Sequence, residues 1–392
     1  MFALTAFTLG ASGAPTWTVK HKSFSAASIG IAMRDDHVGW TTATSGSALA
    51  SIVKTTDSFA TFAPVKNDTG KNLMILDMGA SKAPAPVDVV ATGLFTHKYS
   101  LDGDDFKPPK GGPITSSSCS VTSDGRAVLA SENGACVSED GGATFKCSKV
   151  PLKVEGSGRY VSSPAKGVIY YTAGAWPVTS AKDSPYVQKE LSATVRLLTN
   201  GTLEYGHALG RRFRHKYAPR RPRESQAGDI GYIGELWKSI DNGKTWTNLV
   251  TVQGKYYFNQ IDCYDVSTCL VVAEGFKDDG STAPGAYVFT MTDGKTLRMS
   301  HHEVLDGSSL MAAAMVSPTE HFAGGSSGEG GGAPLLALHS KDGGKTYLNE
   351  HANITGQMIV SWSFPSNTHG LATTVNSLQI ASLLEYGAAP AA

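Results

Sequence analysis

Long apolar runs are missing from this chain. No stretch reaches the roughly 18 apolar residues that a membrane-crossing helix requires, so no transmembrane segment is expected. An excess of either charge is missing too, because 34 Lys and Arg balance 34 Asp and Glu. The whole molecule is therefore not built to attract nucleic acid or an anionic membrane surface. Segments with a helical apolar period are scarce. The five cysteines fit no zinc-binding spacing. There is no P-loop, no dinucleotide-binding glycine fingerprint after a strand and no G-x-S-x-G nucleophile turn. No cofactor is expected, and no metal.

What is present points to β-structure. Apolar residues make up 41% of the chain, enough for a substantial core. The 43 glycines, with abundant Ser, Thr and Ala, suit many short strands joined by tight turns. At 392 residues the chain exceeds the usual domain length, but repeat folds and closed β folds often run long as one unit.

One pattern recurs. SEDGGATF (138–145), SIDNGKTW (239–246) and SKDGGKTY (340–347) share Ser-x-Asp-x-Gly-x-Thr-aromatic. TTDSFATF (55–62) is a weaker copy, and SLDGDDF (100–106) is one residue short. TMTDGKTL (290–297) places Thr292 where the Asp is expected. The aspartates are Asp57, Asp102, Asp140, Asp241 and Asp342. Most intervals are about 40–50 residues, the period of a β-propeller blade. A motif that recurs while its surroundings drift builds architecture rather than performing one chemical step.

The blades can be read strand by strand. In 255–303, YYFNQIDC, CLVVAEG, AYVFTM and TLRMSHH are strands A to D. In 111–150, ITSSSCSV, AVLASE, ACVS and TFKCSK are the same four. Both place the motif on the C–D turn. There the Asp can accept turn amides, the Gly tolerates positive φ, the Thr enters the returning strand and the aromatic buries between blades.

These residues resemble the Asp-box, or BNR repeat, of sialidases, sortilin-type receptors, some glucanases and photosystem II assembly-factor propellers. The resemblance implies an all-β propeller and leaves function open, since those families do different things. FNQIDCYDVSTCLVVAEG followed by PGAYVFTMTDGKT is nearest in style to the assembly-factor propellers. A sialidase would need an arginine triad, an acidic proton donor and a Tyr–Glu pair, announced by an Arg-Ile-Pro segment that is not found.

MIVSWSFP, HGLATTV and LQIASLLEY make three strands of a last blade, and TWTVKH near 16–21 reads as its fourth, closing the ring. The count is then seven, with blades over 22–66, 67–110, 111–152, 153–252, 253–303, 304–352 and 353–388, all within one domain at 15–388. The fourth blade holds an insertion at 175–229, in which DSPYVQKELSATVRLLTNG is a helix capped by Ser184 and ended at Asn200-Gly201. An eighth blade there is the alternative. Residues 1–14 read as a signal-peptide remnant, or else as a strand end.

Cys263 and Cys269 bracket a tight connection, and Cys136 and Cys147 flank SEDGGATF. Two cross-strand disulfides and a spare Cys119 favour an oxidising compartment, secreted or plastid-lumenal; five buried thiols are the alternative. Asn67, Asn200 and Asn353 lie in sequons, about as many as chance would place in a Ser/Thr-rich chain.

The B–C and D–A connections should share one face, which the insertion overhangs and the motif turns avoid. RRFRHKYAPRRPR (211–223) lies in the insertion. Arg211, Arg212, Arg214, Lys216, Arg220, Arg221 and Arg223 are the candidate binding residues, as a patch for an anionic glycan, phosphate or acidic protein. A solvated loop and a dibasic cleavage site are the competing readings. If the chain were an enzyme it would be a glycoside hydrolase, with Asp262, Glu274 and Asp306 as candidate acids. Asp35 and Asp36 read as an A–B turn on the opposite face. His301-His302-Glu303 is a poor metal site, because adjacent strand residues point to opposite faces. The expected function is non-enzymatic binding or assembly, with a protein or anionic partner. A secreted lectin or glycosidase and a plastid-lumen assembly factor are the alternatives.

Overall fold

The computed structural model describes residues 16–25, 29–44, 50–66, 75–153, 157–175, 232–277, 281–328, 333–350, 353–376 and 381–387. The basic stretch 211–223, the expected helix, the N-terminal fourteen residues, Asn67 and Asn200 lie outside them.

Seven sheets follow one another along the chain. Strand β1 (Thr16–Ser25) comes first but belongs to the last sheet. Blade one is β2 (Ile31–Met33), β3 (Gly39–Thr44), β4 (Ala50–Thr55) and β5 (Ala63–Pro64). Blade two is β6 (Ile75–Ala80), β7 (Val89–Gly93) and β8 (His97–Ser100). Its fourth strand shrinks to one bridge, Tyr99 to Lys107, and β9 (Lys110–Gly111) then pairs with the next blade. Blade three is β10 (Ser118–Val121), β11 (Ala127–Ser131), β12 (Gly134–Ser138) and β13 (Thr144–Lys149). Blade four is β14 (Ser157–Ala165), β15 (Val168–Ala175), β16 (Ile233–Ser239) and β17 (Thr247–Gln253). Blade five is β18 (Tyr257–Cys263), β19 (Cys269–Gly275), β20 (Gly285–Met291) and β21 (Arg298–Glu303). Blade six is β22 (Ser309–Met315), β23 (His321–Ser326), β24 (Leu335–Ser340) and β25 (Leu348–Asn349). Blade seven is β26 (Gln357–Ser363), β27 (Gly370–Asn376) and β28 (Ala381–Gly387), with β1 at its edge. The protein is an all-β, seven-bladed propeller of antiparallel four-stranded blades.

Strand composition follows position in the blade. The second strands β19 and β23 are buried along their whole length, because neighbouring blades cover both of their faces. They accordingly read as runs of apolar and small residues, broken only by the buried Glu274 in β19 and His321 in β23. The outer strand β13 buries one side chain in six, Phe145, and leaves the rest to solvent. Each blade interface owns a core: Val272, Leu310 and Leu336 between blades five and six, and Ile31, Phe59 and Leu383 between seven and one. Burying one such side chain is worth about 1.5–3 kcal/mol, so the ring is held by seven separate apolar seams.

The closing seam is the one between the chain ends. Trp17 pairs with Tyr386 and Val19 with Leu384. Trp17 is 1% exposed and packs against Trp362 at 6.0 Å, Tyr386 at 5.3 Å and Phe364 at 5.9 Å. Both expected disulfides are present, Cys136–Cys147 across β12 and β13 and Cys263–Cys269 across β18 and β19, and Cys119 is free and buried.

The repeated turns work alike. Asp140 accepts the Thr144 amide at 2.8 Å on Oδ1 and the Thr144 hydroxyl at 2.6 Å on Oδ2. Ser138 donates to Asp140 at 2.7 Å and accepts the Gly142 amide at 2.9 Å. Asp241, Asp342 and Asp57 repeat these bonds to Thr245, Thr346 and Thr61. Those Thr bonds hold Asp57, Asp241 and Asp342 down at about 2.

One copy is out of register, as its sequence shows, and one expectation needs correction. In the 290–297 copy the work passes from Thr292 to Asp293, which accepts the amides of Lys295 and Thr296 at 2.9 and 2.6 Å. This is a turn one residue tighter, of the kind Asp102 makes with Asp104 and Asp105. In the 55–62 copy the aromatic does not bury: Phe62 is 41% exposed, and Phe59 fills the core instead. There Ser58 and Phe59 adopt φ of 56° and 60°, where the complete copy at 138–145 uses Gly141 and Gly142.

Candidate functional site: the channel and its B–C/D–A mouth

The first strand of every blade lines the central axis, and these inner strands are stitched together. Asp77 accepts the Cys119 amide at 2.9 Å, joining blades two and three. Ser120 accepts from Ser163, Ser162 from Cys263 and Ser363 from Met33. Gln260 and Asp262 accept the amides of Ala313 and Met315 at 2.6 and 2.8 Å. In each case a polar side chain on one inner strand takes a backbone amide of the next. Buried amides need such partners, because an unpaired one costs about 1–3 kcal/mol.

This stitching explains two perturbed acids. Burial lifts Asp77 to about 7, although the Cys119 and Met78 amides pull the other way. Burial also raises Asp262, against the Met315 amide and Lys82. Lys82 donates to Met33 O at 2.9 Å and Phe364 O at 3.3 Å, crossing from blade two to blades one and seven. Surrounding protein lowers it to about 8, with Asp262, Asp35 and Asp36 opposing. Its side chain stays open to solvent, which weakens that shift.

Each candidate acid is engaged in hydrogen bonds that serve the fold. Asp262 is a stitch. Glu274 is 1% exposed and takes hydrogen bonds from the Tyr257 and Ser309 hydroxyls. Asp306 accepts the amides of Lys277 and Gly307, both at 3.1 Å, in the exposed connection to blade six. Asp35 caps its A–B turn through the amides of His37 and Val38. His301 and His302 do diverge. His302 stacks on Tyr287 at 4.1 Å within its own blade, and His301 approaches Tyr347 of blade six at 5.2 Å.

The B–C/D–A face is different in kind. Strands β15 and β16 pair with each other along their length, ending at Ala175 with Ile233 on this face. Phe95, on the B–C turn of blade two, has φ 58° and donates its amide to Ile114 O at 3.2 Å. Phe95 is 49% and Ile114 76% exposed. Val304 and Leu305 stand out on the connection between blades five and six. Near the axis on the same face, Arg159 lies 5.4 Å over the Tyr257 ring and donates to Asn259 Oδ1 at 3.2 Å. Tyr257 stacks on Tyr232, the first described residue after the insertion, at 5.8 Å. Sequence reading passed over Arg159, because one arginine in RYVSSP gives no local signal. Only the approach of blade five reveals its setting.

Comparison with known proteins supports this architecture. No protein-family model matches the chain, and no curated protein matches it. Among solved structures it is similar to YCF48 from Cyanidioschyzon merolae, at 14% identity over 95% of this chain and 99% of that one, with a TM-score of 0.56. It is similar to YCF48 bound to D1 peptide at 13% identity, covering 96% and 98% of the two chains, with a TM-score of 0.55. It is also similar to a polysaccharide lyase of the PL25 ulvan lyase type at 8% identity, covering 95% and 94%, with a TM-score of 0.51. At such identities the likeness is one of fold, and it places the chain among β-propellers.

Proposed function

We propose that this chain is a non-enzymatic binding or assembly propeller of the Asp-box type that holds a protein partner on its B–C/D–A face. The observation that carries the reading is the Phe95–Ile114 pair. A left-handed non-glycine residue costs of order 1–3 kcal/mol, and here that strain displays a phenyl ring in water beside an exposed Ile. Displayed aromatic and aliphatic anchors of this kind suit protein recognition. In this reading the basic residues Arg211, Arg212, Arg214, Lys216, Arg220, Arg221 and Arg223 of the insertion, which lie outside the described residues, supply anion contacts to the partner. The commitment of Asp262, Glu274 and Asp306 to structural hydrogen bonds favours binding over hydrolysis. A YCF48 propeller of the same fold in complex with a peptide is a precedent for the class of activity. The two disulfides suit an oxidising compartment, either extracellular or plastid-lumenal.

The test is cross-linking of the full chain in its native source, with the cross-linked residues mapped. Cross-links concentrated on the B–C/D–A connections, and lost in a folded Phe95→Ser, Ile114→Ser double variant, are the expected result. Cross-links confined to the motif turns, at Lys244 or Lys345 for example, would reject the face. Selective glycan binding that survives physiological salt would move the reading to a lectin.

A further inference from the structure

Five of the seven inner strands break register near the end that opens on the B–C/D–A face. The skipped residues are Leu76, Arg159, Asn259, Met311 and Val360. A bulge leaves one residue unpaired and re-aims its side chain, which is why bulges recur beside binding sites. Here the same device is used in five blades, on inner strands near the channel mouth, where Asn259 and Val360 are buried and Leu76, Arg159 and Met311 are partly exposed. Three are apolar. Met311 and Val360 pack with Met358, Val375 and Ile29 on the blade six, seven and one side. The opposite side carries the single charge, Arg159.

Arg159 is held but not neutralised. Asn259 fixes one end: its amide nitrogen donates to Leu310 O at 2.7 Å, which turns Oδ1 toward the guanidinium. The Tyr257 ring fixes the flat face. No carboxylate of the described residues pairs with Arg159, and its Nε is buried without a hydrogen-bond partner. A guanidinium placed this way and left without an anion has donors to spare, and planar carboxylates match them.

We propose that the channel mouth is a binding site for a carboxylate carried on a short apolar body, with Arg159 gripping the carboxylate and the Leu76, Met311 and Val360 side taking the apolar part. The carboxylate can belong to a small amphiphilic acid or to the end of a polypeptide. The site does not depend on the partner reading above, since it is testable with small probes alone.

The experiment titrates the full-length protein by calorimetry with octanoate, with octanamide, and with an Ala-Leu hexapeptide bearing a free or an amidated C-terminus. Octanoate binding that exceeds octanamide, and that weakens about tenfold or more in Arg159→Gln, is expected for loss of a charge-assisted hydrogen bond. Stronger binding of the free-acid hexapeptide than of octanoate assigns the site to polypeptide ends, and the reverse assigns it to small acids. Octanamide binding as tightly as octanoate, or no binding of any acid, overturns the proposal in the unmodified protein. That comparison stands even if Arg159→Gln fails to fold. Octanoate bound with no mapped partner on the face would sink the partner reading alone. A mapped partner with no acid bound would sink this one alone.

Discussion

The two faces of the ring follow different rules. On the A–B/C–D face one turn is made again and again. The serine or threonine, the aspartate and the closing threonine keep their bonds in blades one, three, four and six, even where glycine gives way to Ser58 and Phe59. On the B–C/D–A face the inner-strand bulge recurs but the connections do not. Connections range from the two residues 132–133 to the long insertion, and among the described residues Arg159 waits without an anion. The repeated face is where the architecture is maintained, and the varied face is where a ligand can be accommodated without disturbing it.

The largest effect should come from the seam that serves both faces. Trp17→Ala removes the ring that plugs blade seven and should cost about 3–5 kcal/mol, read as a lower thermal midpoint. Unchanged stability would mean that β1 does not close the ring. Ser138→Ala strikes the repeated face directly. It strips a buried hydroxyl from the Asp140 carboxylate and leaves the Gly142 amide unpaired, for about 1–2 kcal/mol by denaturant unfolding. An equal loss from Phe95→Ser would erase the distinction between the faces. That substitution on the varied face should instead change stability by under about 0.5 kcal/mol while weakening partner capture.

The acids sharpen the contrast through pH. Asp77 is raised in the folded state, so the folded form holds a proton that the unfolded chain releases near pH 4. Its contribution is present at low pH and declines as pH rises from about 4 through about 7. Stability of Asp77→Asn relative to the parent should therefore improve over that window, and a flat difference would contradict the buried placement. The motif aspartates run the other way. Held down at about 2, they stabilise above about pH 4 and lose that contribution as pH falls toward 2. Asp241→Asn should blunt the acid limb of a stability profile by a smaller amount, because this carboxylate is fully exposed.

Much of this was readable in the chain. The spacing of Asp57, Asp102, Asp140, Asp241 and Asp342 foretold blades, and the Thr-Trp at 16–17 foretold the closing strand, because local turn chemistry and strand periodicity are written residue by residue. Both disulfides followed for the same reason: each links neighbours across one hairpin. Failures came where the answer lay in another blade. Asp262 looked like a candidate acid until the Met315 amide, 53 residues on, was seen to claim it. Phe62 looked like a core aromatic until Phe59 took the space against Leu383 of the last blade.

By itself, then, the sequence determined the blade and its turn, since each depends on contacts within about 40 residues of chain, and it showed a closing strand at Thr16–Trp17 whose partners, Gly387 and Tyr386, lie at the other end of the chain. Only the tertiary structure decided which polar groups are spent on holding blades together and which are left over. Asp77, Asp262 and Arg159 each meet a residue of a neighbouring blade, and no local pattern encodes that meeting. The inner strands brought the two acids to amides and brought the arginine to an asparagine and a tyrosine, so two charges became fasteners and one stayed available.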